Sequence, residues 1–129
     1  MESTCADHPS YHATIGLTAH HGEKKTTVVE GALFDHKHPR LVRINDYAIE
    51  AILEGHLLIT QHKDQPGVVA DISNILAKRE INISSMQMGV VKGGSKALAM
   101  LEISIPLDQQ TMAELSKIKA ISKVLQVSL

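Results

Sequence analysis

Residues 62–69 read "HKDQPGVV". A histidine and an acid stand just ahead of Pro66-Gly67, and Pro-Gly opens an apolar-periodic run. The first amides of a helix have no intrahelical acceptor and lie at the positive end of its dipole. The N–H groups of Gly67, Val68 and Val69 are therefore suited to a carboxylate. Asp64 is placed to hold an ammonium, and His62 can donate or accept a hydrogen bond. Asn82 comes directly after the helix. Together these groups have the chemistry to read both ends of an amino acid. A plainer reading of the same residues stays open: Asp64 or Gln65 caps the helix, and His62 is a strand-end surface residue.

These groups need elements to position them. "HLLITQH" (56–62) reads as a strand, and "PGVVADISNILAKRE" (66–80) as a helix. Val68, Val69, Ile72, Ile75 and Leu76 fall on a single helical stripe. Pro66 suits the first helical position, where its missing N–H costs nothing. Lys78 and Arg79 suit the negative end of the dipole in the last turn. "INISSMQMGVV" (81–91) is a strand leading into the hairpin loop "KGGSK". "ALAMLEISI" (97–105) alternates as the next strand. Asp108 caps a second helix with Met112, Leu115 and Ile118 as its stripe, and "ISKVLQVSL" (121–129) is the last strand. The order β-α-β-β-α-β predicts an α+β, ferredoxin-like unit, with two helices on one face of an antiparallel sheet. Its other face and its edges are left for a partner.

Ahead of it, residues 11–54 read as a small β-rich segment, with the boundary at Glu54-Gly55 and the second unit over 55–129. Strands "HATIGLTAHH", "TTVVEGALF" and "RLVRINDYAIEAIL" are separated by the turns "GEKK" and "DHKHP", and Asn45-Asp46 marks a tight turn inside the third. Residues 1–10 read as a polar lead-in.

Composition narrows the function classes. Net charge is −1 with no like-charge run, which gives no footprint for nucleic acid or an anionic membrane. Two Tyr and one Phe make base-stacking platforms an unpromising reading. The single Cys5 excludes a disulfide framework or a CxxC site and suits a cytoplasmic setting. No GxGxxG follows a strand, no P-loop spacing occurs, and no Gly-x-Ser-x-Gly elbow is present. His20-His21 and His36-x-His38 lack partners that would complete a metal's ligand set by sequence, so no metal is expected. Met86 and Met88 read as packing or interface.

The H-x-D-x-P-G-V core, the Ile81-Asn82-Ile83 after the helix and the Met86-Gln87-x-Gly89 that follows resemble an ACT domain, the regulatory module of amino-acid metabolism. "EGALFDHKHPRLVRINDYAIEAILEGHLL" resembles the passage that precedes the ACT domain in bacterial D-3-phosphoglycerate dehydrogenases. The β subunit of iron–sulfur L-serine dehydratases is similar in layout. The resemblance implies ACT domains paired side by side through strand 1 and helix 1, with L-serine between two copies. It maps ligand contacts onto His62, Asp64 and Gly67 of one subunit and Asn82 of the other, with Val68 at the same helix mouth. Asp64 stands where Asn is frequent, which strengthens the hold on an ammonium and repels a carboxylate. The resemblance also places Arg40, Arg43, Lys24 and Lys25 as anion contacts of an incomplete intervening domain; solvated strand-edge charges are the plainer reading.

The expectation is a regulatory piece without a catalytic site or cofactor of its own. It would be a homodimer that senses L-serine or a related small amino acid for the catalytic domain or subunit of an NAD-dependent dehydrogenase. Alternatives are a β-type component of an L-serine dehydratase and a stand-alone dimerisation module.

Overall fold

A computed structural model describes residues 2–8, 11–21, 25–34, 38–91 and 93–129. The chain divides into two compact units, Met1–Leu53 and Glu54–Leu129.

The first unit is an antiparallel meander in the order β1-β2-β3-β4-β5: β1 (Glu2–His8), β2 (Tyr11–His21), β3 (Lys25–Phe34), β4 (His38–Ile44) and β5 (Tyr47–Ala51). β1 corrects the reading of residues 1–10 as a loose lead-in. It is a strand paired with β2 from Glu2 opposite Thr18 to His8 opposite Tyr11. Its polar composition hides it, because an edge strand is held by its backbone ladder and needs no apolar stripe. β4 and β5 are joined at Asn45-Asp46, the expected turn. Asn45 takes φ 51, and its Oδ1 accepts from the Val28 N–H at 2.8 Å while its own N–H donates to the Val28 carbonyl at 2.7 Å. Asparagine tolerates that left-handed conformation and its side chain pairs with backbone, so the turn is also riveted to β3. In β5, Tyr47, Ile49 and Ala51 are buried and Ala48 and Glu50 are exposed, as strand alternation requires. In β4 both Leu41 and Val42 are buried, because a register shift between Leu41 and Arg43 interrupts the alternation.

The second unit runs β6 (His56–Lys63), α1 (Val68–Ala77), β7 (Ile83–Val90), β8 (Lys96–Ile103), α2 (Gln109–Ser116) and β9 (Ile121–Ser128). Its sheet order is β7-β8-β6-β9, antiparallel throughout. This is the expected βαββαβ arrangement. β6 is interior, paired with β8 on one side and β9 on the other. A partner's strand therefore cannot add to β6, and the expectation that two copies pair through strand 1 is corrected: the unpaired edges are β7 and β9. Order in space is set by which strands share a ladder, and local periodicity does not carry it.

One face of the sheet is covered by both helices. Val68, Ile72, Ile75 and Leu76 of α1 and Leu115 of α2 meet Leu58 of β6 and Ala99, Leu101 and Ile103 of β8 in one core cluster. Burying each large aliphatic side chain there contributes roughly 1.5–3 kcal/mol. The second helix is capped as expected: Asp108 Oδ1 accepts from the Thr111 N–H at 2.7 Å and the Thr111 hydroxyl at 2.6 Å. These bonds favour the ionised carboxylate and hold the Asp108 pKa below its ordinary value.

Both ends of α1 depart from the simplest pattern. Gly67 is its N-cap at φ 92, so Pro66 precedes the cap and does not occupy the first turn. A φ that far from the helical region cannot lie inside a helix, and Pro66 stays outside with it. At the other end Lys78 is the C-cap, so neither Lys78 nor Arg79 lies in the last turn. Instead Arg79 pairs through Nη2 with Glu114 of α2 and donates through Nη1 to the Ile75 carbonyl at 3.4 Å. The chain then closes through Glu80 at φ 56, with the Ile81 N–H on the Leu76 carbonyl and the Glu80 N–H on that of Ala77, both at 3.0 Å. This is a Schellman closure with glutamate where glycine is usual.

Two opposite outcomes follow. Nothing lies within 4 Å of a Cβ added at Gly67, so any loss in Gly67→Ala is purely conformational. Gly67→Ala should destabilise the unit by about 1–2 kcal/mol, and Glu80→Gly should stabilise it by up to about 1 kcal/mol. Urea midpoints of the two variants against the wild type check both signs.

Candidate functional site

The β6–α1 connection is held from both sides. The Lys63 N–H donates to the Ala120 carbonyl at 2.9 Å, and the Asp64 N–H to that of Ser95 at 2.8 Å. These bonds fix the loop that carries His62, Asp64 and Gly67 against the loops flanking β8 and β9. No side chain caps α1, so neither Asp64 nor Gln65 serves that role. The Asp71 N–H is the first to reach back, to the Gly67 carbonyl at 2.9 Å. The earlier amides of the helix have no intrahelical acceptor, and the space over Gly67 is open. Asp64 is exposed beside that mouth. The Val68 side chain is 2% exposed and belongs to the core, so Val68 can offer the mouth its backbone amide.

His62 is not a surface residue. It is 3% exposed and lies on the helix-facing side of β6, opposite Ala97 and Ile121. Its Nδ1 is 2.9 Å from the carbonyl oxygen of Lys63. A carbonyl only accepts, so Nδ1 carries the proton, and Nε2 of the neutral ring is an acceptor. Among the described residues Nε2 has no hydrogen-bond partner. Thr60, on the same face of β6, is fully buried, and its Oγ1 is likewise without a partner. Leaving a buried polar atom unpaired costs about 1–3 kcal/mol. Thr60 was missed in reading the sequence for function. The available signal was the inward stripe Leu58, Thr60, His62, which turns polar just where the strand approaches the helix mouth.

Asn82 is exposed, just before β7. Its N–H donates to Ser104 Oγ at 3.1 Å and its carbonyl accepts from the Ser104 N–H at 3.0 Å. The chain does not bring its side chain to His62. His62 is level with Ala97 and Val90, whereas His56 is level with Ile103 and Ile83, the neighbour of Asn82. The two levels are separated by the strand from His56 to His62, about 20 Å at the usual rise. A small amino acid cannot touch both residues of one chain.

The anion candidates lie in the first unit. Arg43 Nη2 donates to Glu30 Oε1 at 2.5 Å, so its charge is already met by a carboxylate. Arg40 is half-buried on β4, paired with Ala32 of β3. Lys24 lies outside the described residues, and Lys25 begins β3, its side chain outside them too. His20 and His21 end β2 with side chains outside the described set; His36 is outside it, and His38 is exposed. Among the described residues no three His, Cys, Asp or Glu side chains group as metal ligands, and no helix is long and apolar enough to cross a membrane.

The model of the ACT domain matches residues 56–120. The D-3-phosphoglycerate dehydrogenase of Bacillus subtilis is 32% identical over 108 residues, covering 84% of this chain and 21% of the relative. That of Methanocaldococcus jannaschii is 29% identical over 129 residues, covering 100% of this chain and 24% of the relative. The probable L-serine dehydratase β chain of Bacillus subtilis is 26% identical over 88 residues, covering 68% of this chain and 40% of the relative. The chain thus spans between a fifth and a quarter of those dehydrogenases. With half its length matched by the family's model and the βαββαβ sheet beneath it, this chain belongs to the ACT-domain family.

Proposed function

We propose that the chain is the effector-sensing part of a D-3-phosphoglycerate dehydrogenase-like enzyme of L-serine biosynthesis. It would bind a small amino acid, L-serine in the first instance, between two copies of its ACT domain. The observation that carries this reading is the separation of Asn82 from His62 within one chain, together with the open edge of β7. If two β7 edges pair antiparallel about a two-fold axis at Met86, Asn82 of one copy faces Val90 of the other. Val90 is level with His62. The partner's Asn82 thus arrives at the end of the sheet where His62, Asp64 and the free amides of α1 lie. Met86, Met88 and Val90 occupy one side of that edge, 42%, 39% and 43% exposed, a row of soft apolar side chains available to a second copy.

In this arrangement the helix mouth takes the ligand carboxylate, Asp64 its ammonium, and the partner's Asn82 closes the site. Binding then stabilises the paired state, and whatever catalytic domain is attached responds through that equilibrium. Catalysis, nicotinamide chemistry and a cytoplasmic setting belong to this proposal through the similar dehydrogenases. A lyase setting is the second reading, favoured by the similarity to the L-serine dehydratase β chain. Formation of an iron–sulfur complex on mixing with such an enzyme's α subunit would support it.

The test uses mixed dimers. Titration with L-serine should show no binding for His62→Ala alone or Asn82→Ala alone. Dissociating, mixing and reassociating the two variants should restore about a quarter of the wild-type sites, since half the dimers are mixed and each has one intact site. Wild-type affinity in both single variants contradicts the site, and a silent mixture contradicts its sharing between copies. A dimeric wild type that takes up no amino acid leaves a dimerisation module.

A further inference from the structure

The described methionines divide into two kinds. Met86 and Met88 of β7 are 42% and 39% exposed, while Met100 of β8 is 3% exposed and Met112 packs against the core. Met86 stands opposite Leu101 and Met88 opposite Ala99, so both lie on the helix-covered side of the sheet. β7 is an edge, with β8 on one side and no ladder on the other. Strand propensity does not call for methionine at these positions. β-Branched residues suit a strand better, and Val90 in the same row is one. Core filling does not call for it either, because both side chains are exposed. What remains is the soft, polarizable thioether itself, on a row available to a second copy.

An exposed thioether reacts with hydrogen peroxide. The sulfur lone pair forms an S–O bond with one peroxide oxygen, the O–O bond breaks, and the other oxygen leaves as water with both peroxide protons. Sulfur loses two electrons and the peroxide gains them. The product is methionine sulfoxide, which dedicated reductases return to the thioether. The change turns a flexible apolar side chain into a polar one with an added acceptor oxygen. In a separate chain that oxygen stays in water, so the fold loses little. In a paired edge it must enter the seam. With the two-fold axis at Met86, the Met86 side chains of the two copies face each other, and neither has a donor to offer. Burying an acceptor without a donor disfavours the paired state.

We propose that Met86 and Met88 form a peroxide-sensitive modification site, and that their oxidation to sulfoxide separates two copies paired along β7. This rests on the pairing put forward above and adds a second input to it. Pairing covers the two thioethers, and oxidation of the separate chain prevents pairing. Effector and oxidant therefore act on one equilibrium in opposite directions.

The test treats the full chain, carrying Cys5→Ser to remove its one thiol, with hydrogen peroxide. Peptide mass mapping, circular dichroism and sedimentation equilibrium follow the result. In dilute chains Met86 and Met88 should gain oxygen about ten-fold faster than Met100 and Met112, since susceptibility follows exposure. Raising the chain concentration should slow only the first two. The circular dichroism should hold, while the dimer dissociation constant rises by about ten-fold or more. Met86→Leu/Met88→Leu, which nearly conserves volume, should dimerise like its parent and keep its dissociation constant after the same treatment. Met86→Leu and Met88→Leu alone serve if the double variant fails to fold, and each should show a smaller rise than the parent. Equal oxidation of all four methionines, rates indifferent to chain concentration, or loss of the fold on oxidation overturns the site. So does a dissociation constant unmoved by the two sulfoxides, or leucine variants that separate as readily as the parent. Each of the last two results leaves the pairing itself standing. A chain that is monomeric before oxidation overturns the pairing and the site with it.

Discussion

The interior position of β6 is the constraint from which the rest of the second unit follows. Hydrogen-bonded on both sides, by β8 and β9, this strand cannot slide without flipping Leu58 and its fellows out of the core. That fixed register delivers His62, Asp64 and Gly67 to one place, the mouth of α1. It also drives the remaining strands outward, leaving β7 and β9 as the edges. On the proposed reading, a site begun at the end of β6 and finished by Asn82 beside β7 takes its Asn82 from a second copy. The energetics agree with this division. The core beneath α1 is closed by aliphatic packing within one chain, while the row Met86, Met88 and Val90 stays half-exposed on the edge.

On the proposed reading, function and stability compete for the same few residues at the helix mouth. A side-chain cap would satisfy one of the free amides of α1 and steady the helix, typically by about 1 kcal/mol. The chain has Asp64 and Gln65 within three residues of the N-cap and uses neither. Gly67 at φ 92 turns the backbone instead. Thr60 and His62 are a second concession, polar atoms buried where an aliphatic pair would pack without penalty. Departures of this kind from local consistency gather at sites of function.

Several features were legible in the sequence because a local period encodes them. The stripe of Val68, Ile72, Ile75 and Leu76 comes from helical spacing, and all four are buried. Asn45-Asp46 announces its own turn between β4 and β5. Other features rest on long-range pairing, which has no local signature. β1 is held by its ladder to β2, with nothing in "ESTCADH" to mark it. The interior place of β6 depends on pairing with segments far along the chain. The site divides the same way. Asp64 and Gly67 are visible beside Pro66, while the burial of His62 and of Thr60 emerges only once the helices cover the sheet.

The account stands or falls on linkage between ligand and dimer. Sedimentation equilibrium of the full chain, with and without saturating L-serine, measures it directly. A site shared by two copies requires the dimer dissociation constant to fall in the presence of L-serine, by about ten-fold or more at high saturation. A dissociation constant that does not move while L-serine binds one per chain would place the whole site within a single copy and contradict the account.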